Sequence, residues 1–164
     1  MITAYIGLGS NLAEPLAQVE DAARELAALA GCQLLALSPR YRSAPMGPTD
    51  QPDYINAVAA LATRLEPLAL LNALQAIEQQ HGRQRLVHWG ARTLDLDLLL
   101  YGEQVINQPR LNVPHPGLQE RAFVLVPLAD IAPQLILPGG QPLATLLSSA
   151  LRAQLQVVAN GHIH

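Results

Sequence analysis

The chain has 164 residues, half of them hydrophobic, enough to bury the core of one compact domain spanning 1–164, and nothing in it suggests a second. Its longest apolar runs, such as Leu98 to Tyr101 and Phe123 to Leu128, fall far short of the roughly 20 residues that cross a bilayer, and the Met1-Ile2-Thr3-Ala4-Tyr5 start lacks the basic region of a signal peptide; a cytoplasmic protein without a membrane partner is expected. A formal charge of -3 argues against a nucleic-acid-coating protein, which needs a broad basic face, and the single cysteine, Cys32, excludes an internal disulfide and a cysteine-based zinc site.

In chain order, Ile2 to Leu8 reads as a first strand ended by Gly9. Asn11 to Pro15 supplies helix-start signals, and Leu16, Val19, Ala23, Leu26 and Ala30 then recur at helical spacing until Gly31. Cys32 to Ser38 reads as a second strand. Pro39 to Pro52, interrupted by Pro45, Gly47 and Pro48, supports neither period and is expected to be a long functional loop. Tyr54 to Thr63 alternates as a third strand. Pro67 opens a second helix, with Leu68, Leu71, Leu74 and Ile77 inward and Gly82 at its end. After an irregular segment, His81 to Thr93, a fourth strand runs from Leu94 to Tyr101, and Val105-Ile106 is expected to pair back on it. The order βαββαβ predicts an α/β (α+β) fold with a ferredoxin-like core. Both helices would cover one sheet face, and C-terminal helices at Phe123 to Ile131 and Leu143 to Leu151 would cover the other, giving a three-layer αβα arrangement. The tail from Arg152 carries no site signal, and His162 and His164 read as a frayed terminus.

The chemistry gathers around Asp95 and Asp97. On a strand their side chains share a face with Cα atoms ~6.6 Å apart, while Leu94, Leu96 and Leu98 point the other way into the core. Two adjacent carboxylates repel unless one takes a proton or both share a cation, and magnesium, which accepts one or two carboxylates and completes its octahedron with waters and phosphates, suits the pair. The same spacing would let both carboxylates bridge two ions. The competing reading is that both decorate a wet sheet face with arginines as ion-pair partners. The surroundings favour the metal. The chain has no lysine, which excludes a Walker A loop, and Arg83, Arg85 and Arg92 crowd into the segment just before the pair. A cationic glycine-bearing loop beside acidic metal ligands serves phosphoryl transfer, where catalysis is mostly positioning and charge neutralisation. Trp89 stands among these arginines, as a stacking surface for a flat base or pterin or as a core residue. His115 lies between two prolines in Val113-Pro114-His115-Pro116, presented for binding or idle in an exposed turn.

At this point the sequence resembles the 6-hydroxymethyl-7,8-dihydropterin pyrophosphokinase family of folate biosynthesis. The matching segments are Ile6-Gly7-Leu8-Gly9-Ser10-Asn11, Tyr41 to Gly47 with Gln51-Pro52-Asp53-Tyr54-Ile55-Asn56, Leu74 to Glu78, Gly82-Arg83-Gln84-Arg85, Trp89 to Asp97, Val113 to Pro116 and Arg121 to Leu125, in family order across most of the chain. The resemblance implies transfer of the β,γ-diphosphoryl group of ATP to the hydroxymethyl oxygen of the pterin, releasing AMP. It implies two Mg2+ ions held by Asp95 and Asp97, ATP and a pterin as the partners, and a monomer. By the family pattern Arg83, Arg92, Asp95 and Asp97 are catalytic, with Arg83 and Arg121 helping on the transferring phosphates. Gln75, Glu78, Arg85, Trp89, Arg92, Leu98, Arg110, His115 and Arg121 fall on the nucleotide side. Ser43, Pro45, Met46, Tyr54, Asn56, Trp89, Asp95 and Phe123 fall on the pterin side. Three departures stand out: His88 where a second arginine is common, Ala91 in place of a proline, and Ser43-Ala44 in place of Thr-Glu. A neutral histidine cannot replace a fixed guanidinium, which implies a steeper pH dependence.

Two other functions compete on the residues alone. A two-metal phosphodiesterase or nuclease could use the same aspartates. An RNA-binding module could use the same strand order, but the single phenylalanine does not supply the aromatic strands such modules carry.

Overall fold

The computed structural model describes residues 1–44, 52–82 and 93–161. Its elements are β1 (Ile2–Ser10), α1 (Pro15–Ala27), β2 (Cys32–Leu37), β3 (Arg40–Ser43), β4 (Tyr54–Thr63), α2 (Pro67–Gln80), β5 (Asp95–Tyr101), β6 (Ile106–Gln108), β7 (Leu111–Val113), α3 (Ala122–Ile131), α4 (Ser149–Ala153) and β8 (Gln156–Ala159). The main sheet is antiparallel in the order β5-β1-β4-β3-β8, with β2 pairing the other half of β4. With β1 and β4 in the middle and two helices on one face, this is the expected ferredoxin-like plan with its edge extended.

Alternation along the strands makes two cores. Ala4, Ile6 and Leu8 of β1, Ile55, Ala57, Ala59 and Leu61 of β4, and Leu96 and Leu98 of β5 pack under α1 and α2. Val58, Leu99 and Leu100 face the other way, beneath Val124, Leu125 and Leu128 of α3. The three expected layers are therefore present. Among the described residues no helix is long and apolar enough to cross a membrane.

Four expectations need correction. The segment expected as one long loop contains β3, which continues the edge left by β2 after Pro39 interrupts it. Its polar residues hide the strand because Arg40 is buried, bonded by its guanidinium to the Ser38 and Gly161 carbonyls and to the Glu20 carboxylate. Ile106 does not pair with β5; β6 and β7 form a separate hairpin whose two-residue turn is Pro109-Arg110. The helix expected over Leu143 to Leu151 is a 3-10 turn at Leu143–Leu146 followed by α4, because the Ser148 hydroxyl accepts the Leu151 N–H at 3.1 Å and starts a new helix there. Gln156–Ala159, for which the sequence gives no expectation, adds a strand, β8, to β3, and the frayed terminus expected at His162 and His164 lies outside the described residues. The first helix also stops at Ala27, short of Gly31, whose φ of +80° turns the chain into β2.

Candidate active site on the third-helix face of the sheet

Cross-strand register builds the site. Asp95 lies opposite Gly9, Gly9 opposite Asn56, and Asn56 opposite Tyr41; one row along, Asp97 lies opposite Gly7 and Gly7 opposite Val58. Because Leu96 and Leu98 belong to the core under α1 and α2, both aspartates take the opposite face, the one α3 covers. The two glycines leave β1 without side chains between the aspartates on β5 and Asn56 on β4. A β-carbon at position 9 would lie 3.0 Å from the Asn56 carboxamide oxygen, so glycine there lets that side chain lie close over β1.

The polar groups around this trough are fixed by the fold. Asn56 Nδ2 donates to Ser43 Oγ at 2.7 Å, joining β4 to β3, and both residues are buried. That bond directs the carboxamide oxygen toward β1. Asn11, buried at the end of β1, donates through Nδ2 to the Pro52 carbonyl at 3.0 Å and so seats the chain as it enters β4. Tyr54 opens β4 opposite Ser43.

On the other side, β5 carries one extra residue, Leu99, because Ile6 pairs with Leu98 and Tyr5 with Leu100. This bulge turns the Leu99 carbonyl to the His115 N–H, which donates to it at 3.0 Å. The imidazole Nδ1 accepts the Gly117 N–H at 3.1 Å, so the neutral ring carries its proton on Nε2. Nε2 in turn stands 4.0 Å from Asp97 Oδ1. The Asp97 side chain is 47% exposed, so the pair faces the open trough rather than the core.

Glu78 is buried on α2, and its Oε2 accepts the Leu96 N–H at 2.8 Å, pinning β5 between the two aspartates. Leu98, expected on the nucleotide side, is buried in the helix-side core, leaving the strand backbone as its means of contact. Arg110, at the tip of the hairpin, reaches back to α2: its Nη2 donates to Asn72 Oδ1 at 2.6 Å and to Gln75 Oε1 at 3.2 Å. Arg121 stands at the position just before α3, and its side chain lies over Phe123, the guanidinium carbon 5.8 Å from the ring centre. A β-carbon at Gly117 would meet Arg121 Nε at 2.5 Å, so that glycine makes room for the guanidinium.

The structure thus brings Asp95, Asp97 and His115 together, pairs Asn56 with Ser43, Gln75 with Arg110 and Arg121 with Phe123, and sets Glu78 against the strand of the aspartates. Pro45, Met46, Arg83, Arg85, His88, Trp89, Ala91 and Arg92 lie outside the described residues. Sequence reasoning passed over Asn72, whose only signal was its place three residues before Gln75, and the floor-forming role of Gly7 and Gly9.

Among the described residues there is no cluster of three or more histidine, cysteine or acidic side chains able to cage a metal. Two half-exposed carboxylates on one strand are instead an open set of hard oxygen donors, which matches a magnesium ion that completes its shell with water and phosphate.

A family model described as 7,8-dihydro-6-hydroxymethylpterin-pyrophosphokinase matches residues 5–133. The 2-amino-4-hydroxy-6-hydroxymethyldihydropteridine pyrophosphokinase of Pseudomonas aeruginosa is 57% identical over 145 residues, covering 88% of this chain and 90% of that one. The protein of the same name from Haemophilus influenzae is 51% identical over 147 residues, covering 90% and 92%. Among solved structures, the Plasmodium falciparum HPPK-DHPS wild type superposes with a TM-score of 0.68 at 13% identity over 89% of this chain. A triple mutant of that protein gives 0.72 at 12% over 95%. These likenesses concern the fold, and this chain spans 43% and 46% of those longer chains.

Proposed function

The chain belongs to the 7,8-dihydro-6-hydroxymethylpterin-pyrophosphokinase family, and from that premise we propose how its residues divide the work of transferring the diphosphoryl group of ATP to the pterin hydroxymethyl group. The reaction is a step of folate biosynthesis that yields AMP and the pterin diphosphate. The hydroxymethyl oxygen attacks the β-phosphorus, the bond from that phosphorus to the α-bridging oxygen breaks, and the hydroxyl proton is released.

The observation that carries the reading is the trough itself: Asp95 and Asp97 on one side, Asn56 bonded to Ser43 on the other, and only glycine between them. The pterin lies on the Asn56 side. Its amide and amine edge pairs with the Asn56 carboxamide, held by Ser43, and its flat ring takes Phe123 and Tyr54 as neighbours. Pro45, Met46 and Trp89 complete that pocket in this reading. The nucleotide lies toward β5 and α2, beside Gln75, Glu78, Arg110, His115 and the backbone at Leu98, with Arg85 and Trp89 contributing from their own segment.

Asp95 and Asp97 would hold two Mg2+ ions, which when bound supply positive charge to the phosphates. His115 Nε2 stands 4.0 Å from Asp97 Oδ1, beyond hydrogen-bond reach, and would face the same phosphates as that carboxylate. Glu78, by taking up the Leu96 N–H, holds the strand in the register that keeps both aspartates on one face. Arg83, Arg92 and Arg121 would neutralise charge on the transferring group, Arg121 from its rest over Phe123. We place the enzyme in the cytoplasm, acting as a monomer on ATP and pterin without nucleic acid or membrane.

The test is to mix the protein with ATP, magnesium and 6-hydroxymethyl-7,8-dihydropterin and follow nucleotides by chromatography. AMP should appear only when the pterin is present. ADP as the product, or metal-dependent hydrolysis of oligonucleotides with no need of a pterin, would overturn the assignment.

A further inference from the structure

We propose that Asn72 is a positioning residue for the nucleotide: it orients the Arg110 guanidinium for the ATP polyphosphate, an inference that rests on the placement of Arg110 on the nucleotide side. Pro109-Arg110 is a two-residue turn at the end of a two-stranded sheet that stands apart from the main one, so nothing in its own ladder fixes where the long arginine side chain goes. That direction is set from α2. Asn72 and Gln75 are three residues apart on one helix flank, both exposed, and both point a side-chain carbonyl at the same guanidinium nitrogen, Nη2.

The assignment of those carbonyls is forced, because a guanidinium has only donors and the amide nitrogens could not face it. The Asn72 bond, at 2.6 Å, is the shorter of the two. Both acceptors take the same nitrogen, so among the described residues the Nε and Nη1 donors of Arg110 are left for another acceptor. These donors lie on opposite flanks of one plane held in a fixed direction, and each can take a phosphate oxygen. A free arginine on a hairpin tip would lose several rotatable bonds on binding; one already tethered to α2 loses fewer. Neither amide carries charge, so the tether orients the cation without neutralising it, as a carboxylate at position 72 would.

Asn72→Leu removes the acceptor while keeping side-chain size and raising helix propensity, so its effect cannot be ascribed to a weakened helix. Affinity for Mg-α,β-methylene-ATP is measured by calorimetry, with steady-state constants for both substrates, in the wild type, Asn72→Leu, Asn72→Gln, Arg110→Ala and the Asn72→Leu/Arg110→Ala double variant. The expected result is a 3- to 10-fold loss of nucleotide affinity and a matching rise in the ATP KM for Asn72→Leu, with the pterin KM unchanged. Asn72→Gln, which retains a carbonyl, recovers most of the loss. In the Arg110→Ala background the Asn72 substitution has no further effect. Undiminished nucleotide affinity in Asn72→Leu, or an equal loss with and without Arg110, would overturn the proposal. If Arg110→Ala itself leaves nucleotide affinity intact, the placement of Arg110 fails instead.

Discussion

Replacing Gly9 by alanine should separate pterin affinity from stability. The new β-carbon would sit 3.0 Å from Asn56 Oδ1 and 3.9 Å from Tyr54 Cδ1. The first contact is tighter than nearly all real ones, so the Asn56 carboxamide must give by a few tenths of an ångström. That movement strains the 2.7 Å bond from Asn56 to Ser43 and turns the carboxamide from its resting direction. Losing the equivalent of one hydrogen bond, about 0.5–1.5 kcal/mol, corresponds to roughly a 2- to 12-fold weaker pterin. The backbone at this position is not in the left-handed region, and alanine is favoured over glycine within a strand by about 0.5–1 kcal/mol. That gain and the strain on the Asn56–Ser43 bond are of similar size and opposite sign, so the variant should melt close to the wild type. Pterin binding by fluorescence titration and melting by calorimetry give the two readouts. Unaltered pterin affinity, or a drop in melting temperature with affinity retained, would refute the reasoning that places Asn56 over Gly9 as the pterin contact.

The other predictions concern the paired aspartates, the tyrosine latch and the core. Asp97→Ala should lower kcat by at least about 100-fold, the size expected when a charge-stabilising group is lost, yet leave the melting temperature nearly unchanged because the side chain faces the open trough; global unfolding would mean the pair is structural. The Tyr41 hydroxyl donates to Asp130, which also holds Arg152 at 3.4 Å, tying β3 to α3 and α4. Burial first, and then the Asp130 carboxylate, push the Tyr41 phenol up from its usual 10.0 to about 12. A raised acid means that the folded state keeps its proton longer, so this contribution is whole below pH 10 and fades as pH climbs toward about 12. In Tyr41→Phe, base titration followed by circular dichroism should lose less stability across that window than in the wild type; identical slopes would discount the latch. Leu26→Ala, at a position with 0% exposure between the first helix and the sheet, should cost about 2–5 kcal/mol in urea unfolding with little effect on either KM.

The regular elements were legible because their periods are plain: two-residue alternation marks β1, β4 and β5, and helical spacing with proline starts marks α1 and α2. The same-face placement of Asp95 and Asp97 followed from strand geometry alone. What escaped was decided by partners far along the chain. Arg40 makes β3 look like a polar loop, and its burial is compensated by Glu20 and Gly161, which no local window contains. The strand at Gln156–Ala159 is short and lies on an edge, where exposure erases alternation. The Leu99 bulge, which sets the height of His115, depends on the register with Tyr5 and Ile6 and has no composition signature. The tether from Arg110 to Asn72 crosses 38 positions and appears only when the hairpin folds back over α2. Local patterns therefore locate the carboxylates, and tertiary pairing supplies the groups that aim them.

Two phosphorus atoms, not one, move to the pterin. The protein is incubated with magnesium, 6-hydroxymethyl-7,8-dihydropterin and ATP carrying heavy oxygen on the non-bridging positions of its β-phosphorus, and the label is located by the isotope shift it causes in phosphorus NMR. The label is expected in the pterin diphosphate, at the phosphorus bonded to the hydroxymethyl oxygen, with unlabelled AMP as co-product. Label retained in ADP, with a pterin monophosphate formed, would contradict it.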